Sequence, residues 1–143
     1  MYIRPAQPDD RFALANMLTA NHLKADDLPD GLSNFWLASD NDRLIGSVGV
    51  ELHDSIGLLR SVCVIPSYRS QGIARQLIDT ATEAVKQLGI YQLYLLTTTA
   101  DAYFLRLGFA RIDRTNTPKA IQQTTQFSGL CPASAVVMRK HSL

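Results

Sequence analysis

The run Arg69-Ser70-Gln71-Gly72-Ile73-Ala74 places an arginine, a glycine and small side chains where a loop becomes an amphipathic helix. The first turn of a helix leaves N–H groups without partners, and the summed peptide dipoles make that end partly positive. Gly72 has no Cβ, so an anion such as a pyrophosphate can approach the backbone closely. Arg69 adds a fixed charge and a fork of donors. This spacing suits anion binding, of the kind a nucleotide-type cofactor needs. Arg60 interrupts the apolar run Leu58, Leu59, Val62, Val64, and by the two-residue strand period it shares a face with Val62. A buried guanidinium there is costly unless it meets an anion. Two readings stand side by side: an ion pair with Glu51 on a paired strand, and a clamp for a carboxylate or other oxyanion of a bound molecule. Glu51 and His53 share one strand face by the same period, and either could take up a proton, directly or through water.

The elements that must position these groups follow from the hydrophobic pattern. Tyr2-Ile3-Arg4 is a short strand stopped by Pro5, and Asp9 or Asp10 caps a helix whose apolar face is Leu14, Met17 and Leu18. His22 to Gly31 reads as a loop or short helix, with a turn at Pro29-Asp30-Gly31. Phe35 to Ala38 is a strand, followed by the turn Asp40-Asn41-Asp42. Leu44 to Leu52 and Gly57 to Val64 are two strands joined through His53-Asp54-Ser55 as an antiparallel pair. Pro66 ends that run because it cannot donate to a ladder. Ile73, Leu77, Ala81, Ala84 and Leu88 recur at helical spacing, with Gly89 as the stop. Tyr91 to Leu96 is a strand, Ala100 to Leu107 a helix ended by Gly108, and Ile112 and Ala135 to Met138 supply closing strands. Lys119 to Gln126 holds a short helix. This order predicts an α+β (mixed α/β) domain, in which Val62 to Leu96 is a parallel strand–helix–strand unit. The Arg69–Ala74 loop then lies at the strand's C-terminal end, where ligands usually bind.

With 143 residues, 46% hydrophobic and 19% charged, the chain reads as a single domain, residues 1–143, with a substantial core. A net charge of +1 without a run of Lys or Arg argues against nucleic acid as a partner. No stretch of about twenty apolar residues suggests a membrane span, and Met1-Tyr2-Ile3-Arg4-Pro5 lacks the form of a signal peptide. A cytoplasmic location is the resulting expectation. Cys63 and Cys131 make neither a disulfide framework nor a metal-ligand spacing, so no metal is expected. Cys63 reads as a small apolar strand residue rather than a nucleophile.

Val62-Cys63-Val64-Ile65-Pro66, Arg69 to Ala74 in the pattern Q/R-x-x-G-x-G/A, and then Ala100 and Gly108-Phe109 together resemble the GNAT acyl-CoA N-acyltransferases. The likeness covers about Leu44 to Phe109, and the element order extends it to most of the chain. It implies a GNAT fold: a central mixed, mostly antiparallel sheet of six to seven strands flanked by helices, with a parallel pair splayed at an acetyl-CoA site. It further implies that backbone groups of Val62, Cys63 and Val64 meet the pantetheine arm. Backbone N–H groups of Arg69, Ser70, Gln71, Gly72, Ile73, Ala74 and Arg75 would hold the pyrophosphate, with Thr97 and Phe104 also on the cofactor side. Leu95-Leu96-Thr97-Thr98 and Leu107-Gly108-Phe109 look like the acetyltransferase part of bacterial N-acetylglutamate synthases. The tail Ser128 to Val136 looks like small GNAT proteins encoded with arsenic-resistance genes.

The activity implied is direct acetyl transfer, in a ternary complex, to the primary amine of a small acceptor bearing a carboxylate. Arg60 and Thr98 are the candidates to bind that acceptor. Peptide or protein amines are the rival acceptors, and a CoA-binding module without catalysis is the rival class. Where many relatives carry a glutamate on the strand this chain has Leu58, and where many carry a tyrosine it has Phe104. Tyr103 is the nearby candidate for the acid and Glu51 the candidate for the base. Cys131, before Pro132, is a soft ligand for an arsenical on the tail likeness alone. The partner expected is the small amine acceptor, and a homodimer is left open.

Overall fold

Residues 1–130, 135–141 and 143 are described by the structure, a computed structural model. Cys131 and its proposed role lie outside the described residues, as do residues 131–134 of the tail on which the narrowest likeness rests. Among the described residues seven strands form one sheet in the order β1-β2-β3-β4-β5-β7-β6. They are β1 (Tyr2–Pro5), β2 (Phe35–Asp40), β3 (Arg43–His53), β4 (Ile56–Val64), β5 (Gln92–Thr97), β6 (Ala110–Ile112) and β7 (Val136–Lys140). Four α-helices accompany them: α1 (Arg11–Ala20), α2 (Ile73–Lys86), α3 (Asp101–Arg106) and α4 (Lys119–Gln122). The expected mixed sheet is present: β4 pairs β5 in parallel, Ile56 to Leu58 against Gln92 to Tyr94, while β1–β2, β2–β3, β5–β7 and β6–β7 are antiparallel.

Two compact units divide the chain. The first comprises Met1–Val50 and Ser61–Val85, the second Glu51–Arg60 and Lys86–Leu143. In the first, Phe35 of β2 opposes Gly49 of β3 and Leu37 opposes Ser47, so these four residues share one face. That face meets α1, where Leu14, Met17 and Leu18 pack with Phe35, Leu37 and Cys63 in one cluster. Asp10 precedes α1 as expected, but its carboxylate does not cap the helix. It accepts instead from the Gln7 N–H at 2.7 Å and from both terminal nitrogens of Arg4, because a bidentate arginine is the stronger partner. The buried stripe of α2 is Ile73, Leu77, Ile78, Ala81 and Val85. Leu88 is exposed, since the helix ends at Lys86 before the pattern reaches it.

In the second unit Leu58, Tyr94 and Ile121 form a cluster, with Ile56, Leu96, Ile112 and Phe127 packed against it. Buried Phe104 of α3 sets its ring edge-on to Phe109, with centroids 5.8 Å apart. Lys140 Nζ donates to Leu107 O at 2.9 Å, placing a cation at the negative end of α3. Among the described residues, no helix is long and apolar enough to cross a membrane.

Candidate active site

In the first unit the site is built mainly from backbone. β4 does not run straight to its end: Ser61 has φ 55, the left-handed region, which breaks the two-residue alternation of the strand. Arg60 and Val62 therefore stand on either side of a break in the strand period, which the expectation of a shared face did not include. Past the break, Cys63 turns into the α1 cluster. Val62 and Val64 are half-buried. Pro66–Tyr68 makes one tight helical turn, and Ser70 and Gly72 follow at φ 64 and 79. Left-handed residues at this spacing curl a backbone into a concave turn whose N–H groups suit an anion. Gly72 O accepts the Gln76 N–H at 3.1 Å, so α2 begins here and its first N–H groups have no acceptor within the helix. A Cβ built on Gly72 would meet nothing within 4 Å, so its positive φ, rather than crowding, is what requires glycine. Ser70, Gln71 and Arg75 are exposed, Ala74 is half-buried, and Ile73 anchors the turn in the core.

Side chains brace this loop. Arg69 Nε donates to Val64 O at 2.8 Å, and a second nitrogen lies 3.3 Å from Asn21 Oδ1. The arginine read as a fork for an anion thus folds back onto the end of β4. Tyr68 donates its hydroxyl to Asp40 Oδ2 at 2.8 Å, which holds the phenol above its ordinary pKa. Burial pushes the Cys63 thiol up to about 11, so it is protonated at neutral pH and suited to packing. Two residues unremarked in the sequence also hold β4. Ser47 Oγ donates to Ser61 O at 2.7 Å, and a Cβ on Gly46 would lie 3.0 Å from Cys63 O. The signal was available, since an isolated glycine in an apolar strand marks a close backbone approach.

The second unit carries side chains able to move protons. Arg60 is 4% exposed, and its Nη1 lies 2.6 Å from Glu51 Oε2. The other carboxylate oxygen lies 3.3 Å from His53 Nε2. Of the two readings of Arg60, the geometry places the ion pair. Leu58 is buried in the cluster with Tyr94, so this position offers no proton carrier. Thr97 ends β5 and accepts the Ala100 N–H on its hydroxyl at 3.0 Å, starting the turn into α3; Thr98 is exposed. Tyr103 is half-buried, its ring edge-on to Phe104 at 5.4 Å and Arg106 Cζ 5.7 Å from its centroid. Among the described residues, no cluster of His, Cys, Asp and Glu could hold a metal ion.

The family model described as "Acetyltransferase (GNAT) domain" matches residues 31–111, more than half of the chain. The chain is 33% identical over 91 residues to N-alpha-acetyltransferase 30 of Schizosaccharomyces pombe, covering 55% of this chain and 59% of that protein. It is 26% identical over 92 residues to an amino-acid acetyltransferase of Mycobacterium tuberculosis, covering 62% and 52% respectively. The chain therefore spans little more than half the length of these relatives. An N-acetylglutamate synthase of Neisseria gonorrhoeae, solved with coenzyme A and N-acetyl-glutamate, superposes with a TM-score of 0.86 at 17% identity. That match covers 99% of this chain and 35% of the synthase, and at this identity it speaks for the fold.

Proposed function

From a chain that belongs to the GNAT acetyltransferase domain family, we propose an acetyl-CoA-dependent N-acetyltransferase acting on the primary amine of a small acceptor. The observation that carries the donor half is the exposed left-handed turn Ser70–Gly72 opening onto the first turn of α2. A turn of unpaired N–H groups is suited to the pyrophosphate of coenzyme A. The bent end of β4 would present the backbone of Val62 to Val64 to the pantetheine arm, and relatives of this fold bind coenzyme A. Arg69 serves as a brace of the loop and Arg75 adds a charge beside it; Thr97 and Phe104, which the family resemblance also assigns to the donor, lie in the second unit. We take residues 1–143 to act as one GNAT domain, without a metal.

The reaction is direct transfer. The neutral amine attacks the thioester carbonyl, a C–N bond forms, and the carbon–sulfur bond breaks as the tetrahedral intermediate collapses. One proton leaves the nitrogen and one reaches the departing sulfur. Glu51, with His53 on its free side, is the candidate to take the first, and Tyr103 to give the second. Backbone N–H groups near Val62 and Cys63 would stabilise the oxyanion. Arg60 serves through Glu51, whose carboxylate it holds in position at 2.6 Å; Thr98 is the acceptor-side candidate. An acceptor carrying a carboxylate, such as an amino acid or analogue, is favoured by the amino-acid acetyltransferase among the relatives. A peptide amine is the second reading, favoured by the likeness to an N-alpha-acetyltransferase.

Thiol release from acetyl-CoA over a panel of free amino acids and short peptides tests this. Turnover with at least one free amino acid, and slower turnover with its peptide amide, is the expected result. Turnover with peptides alone would replace the acceptor class. Tight coenzyme A binding without turnover on any amine would replace the enzyme by a CoA-binding module.

A further inference from the structure

We propose that Gly46-Ser47 of β3 is the seat that sets the bend of β4, with Ser47 as a positioning residue for the backbone groups of Val62 to Val64. The inference rests on the donor reading above and identifies what holds its strand in shape. Ser61 keeps φ 55 inside a strand, a conformation an L side chain retains only where its surroundings over-determine it. Its carbonyl accepts the Ser47 hydroxyl at 2.7 Å. Ser47 is wholly buried, on the apolar face that carries Phe35 and Leu37, so solvent does not compete for that bond. A hydroxyl on such a face is costly unless it has a fixed partner, and Ser61 O is that partner.

The neighbours of Ser47 act on the same segment. Gly46 lets β3 approach so closely that an added Cβ would stand 3.0 Å from Cys63 O and 3.1 Å from Leu77 Cδ1. Ile45 O accepts the Ile65 N–H at 2.9 Å. Three consecutive residues of β3 therefore meet Ser61 and Cys63 of β4 and Ile65 just after it, bracketing the stretch read as the pantetheine strand. Backbone pairing and close approach act at its far end; at Ser61 a buried side-chain hydroxyl is added.

The test is titration of coenzyme A into Ser47→Ala, with acetyl transfer measured on the same samples. About a tenfold rise in Kd is expected, the size of effect one lost buried hydrogen bond produces. Ser47→Thr, which keeps the hydroxyl, should bind within about threefold of the unmodified protein on the same scale. Thr124→Val is the control: it removes another buried hydroxyl bond, Thr124 Oγ1 to Ile121 O at 2.7 Å, and should lower Tm without changing Kd. Unchanged binding by Ser47→Ala, or an equal loss in Thr124→Val, would overturn the proposal. If Ser47→Ala does not fold, Ser61→Gly and Ser61→Val decide. Glycine tolerates φ 55 and should bind as the unmodified protein does, whereas the β-branched valine should bind more weakly; equal binding overturns the bend's role. Amide exchange at Val62 to Val64, expected to quicken in Ser47→Ala, reads the bend without coenzyme A. An unmodified protein that binds no coenzyme A would refute the donor reading, while the exchange result would still judge the seat.

Discussion

The turn from Arg69 to Gly72 and the trio Glu51, His53 and Arg60 are both polar, yet they are built in opposite ways. The turn offers main-chain N–H groups shaped by left-handed residues, and its side chains are spent on bracing: Arg69 on Val64 O and Tyr68 on Asp40. The trio offers side chains, and its carboxylate is held by a buried guanidinium at 2.6 Å with an imidazole at 3.3 Å. A main-chain site tolerates many side chains as long as the conformation survives. A side-chain site fails when one partner is cut away. That difference sets the order of sensitivity expected of the two regions.

The largest effect is expected from Arg60→Ala. It leaves Glu51 without its buried partner, and truncating one member of a fully buried pair costs 3–5 kcal/mol. Glu51 keeps 23% exposure, so about 2 kcal/mol of stability is the expected loss, read by urea denaturation. Coenzyme A binding should change little; a large loss of binding would break the separation between the two regions. Gly72→Ala comes next. An L residue at φ 79 costs about 1 kcal/mol, and the turn it deforms should weaken coenzyme A binding about tenfold by calorimetry. Gln71→Ala, in the same turn but exposed, should bind within about twofold, as the main-chain character of the site requires.

The smallest effect sharpens the comparison. Arg4–Asp10 is an ion pair like Arg60–Glu51, but with 34% of the arginine side chain exposed rather than 1%. The hydrogen bond from Arg4 holds the Asp10 carboxyl below its ordinary pKa. Its contribution is therefore present above the unfolded carboxylate value, about pH 4, and is lost as pH falls through the lower folded value. Asp10→Asn should lose under about 1 kcal/mol at pH 7, and the deficit should shrink as pH falls below about 4 in acid-denaturation curves. A deficit that grows on acidification would contradict the sign.

The same contrast decides what the sequence could disclose. The turn was legible because glycine position, the proline stop and helical period are local, and a local pattern dictates local conformation. The succession of elements along the chain and the parallel pair followed from the same periods. Arg60 was legible as an anomaly, and Glu51 as its partner was one of two open readings; only a contact nine residues apart in sequence chooses between them. The Ser61 break escaped notice because serine carries no preference for φ 55, and its cause lies in Ser47 on another strand. Leu88 misled because the apolar period continues past the end of the helix. Conformation set by neighbours in sequence could be read; conformation set by neighbours in space could not.

Amide NMR during titration with coenzyme A tests the donor assignment most directly. The largest shifts are expected at the N–H groups of Ser70 to Arg75 and of Val62 to Val64, with Glu51 and His53 little moved. Saturable binding that leaves Ser70 to Arg75 unshifted would contradict it.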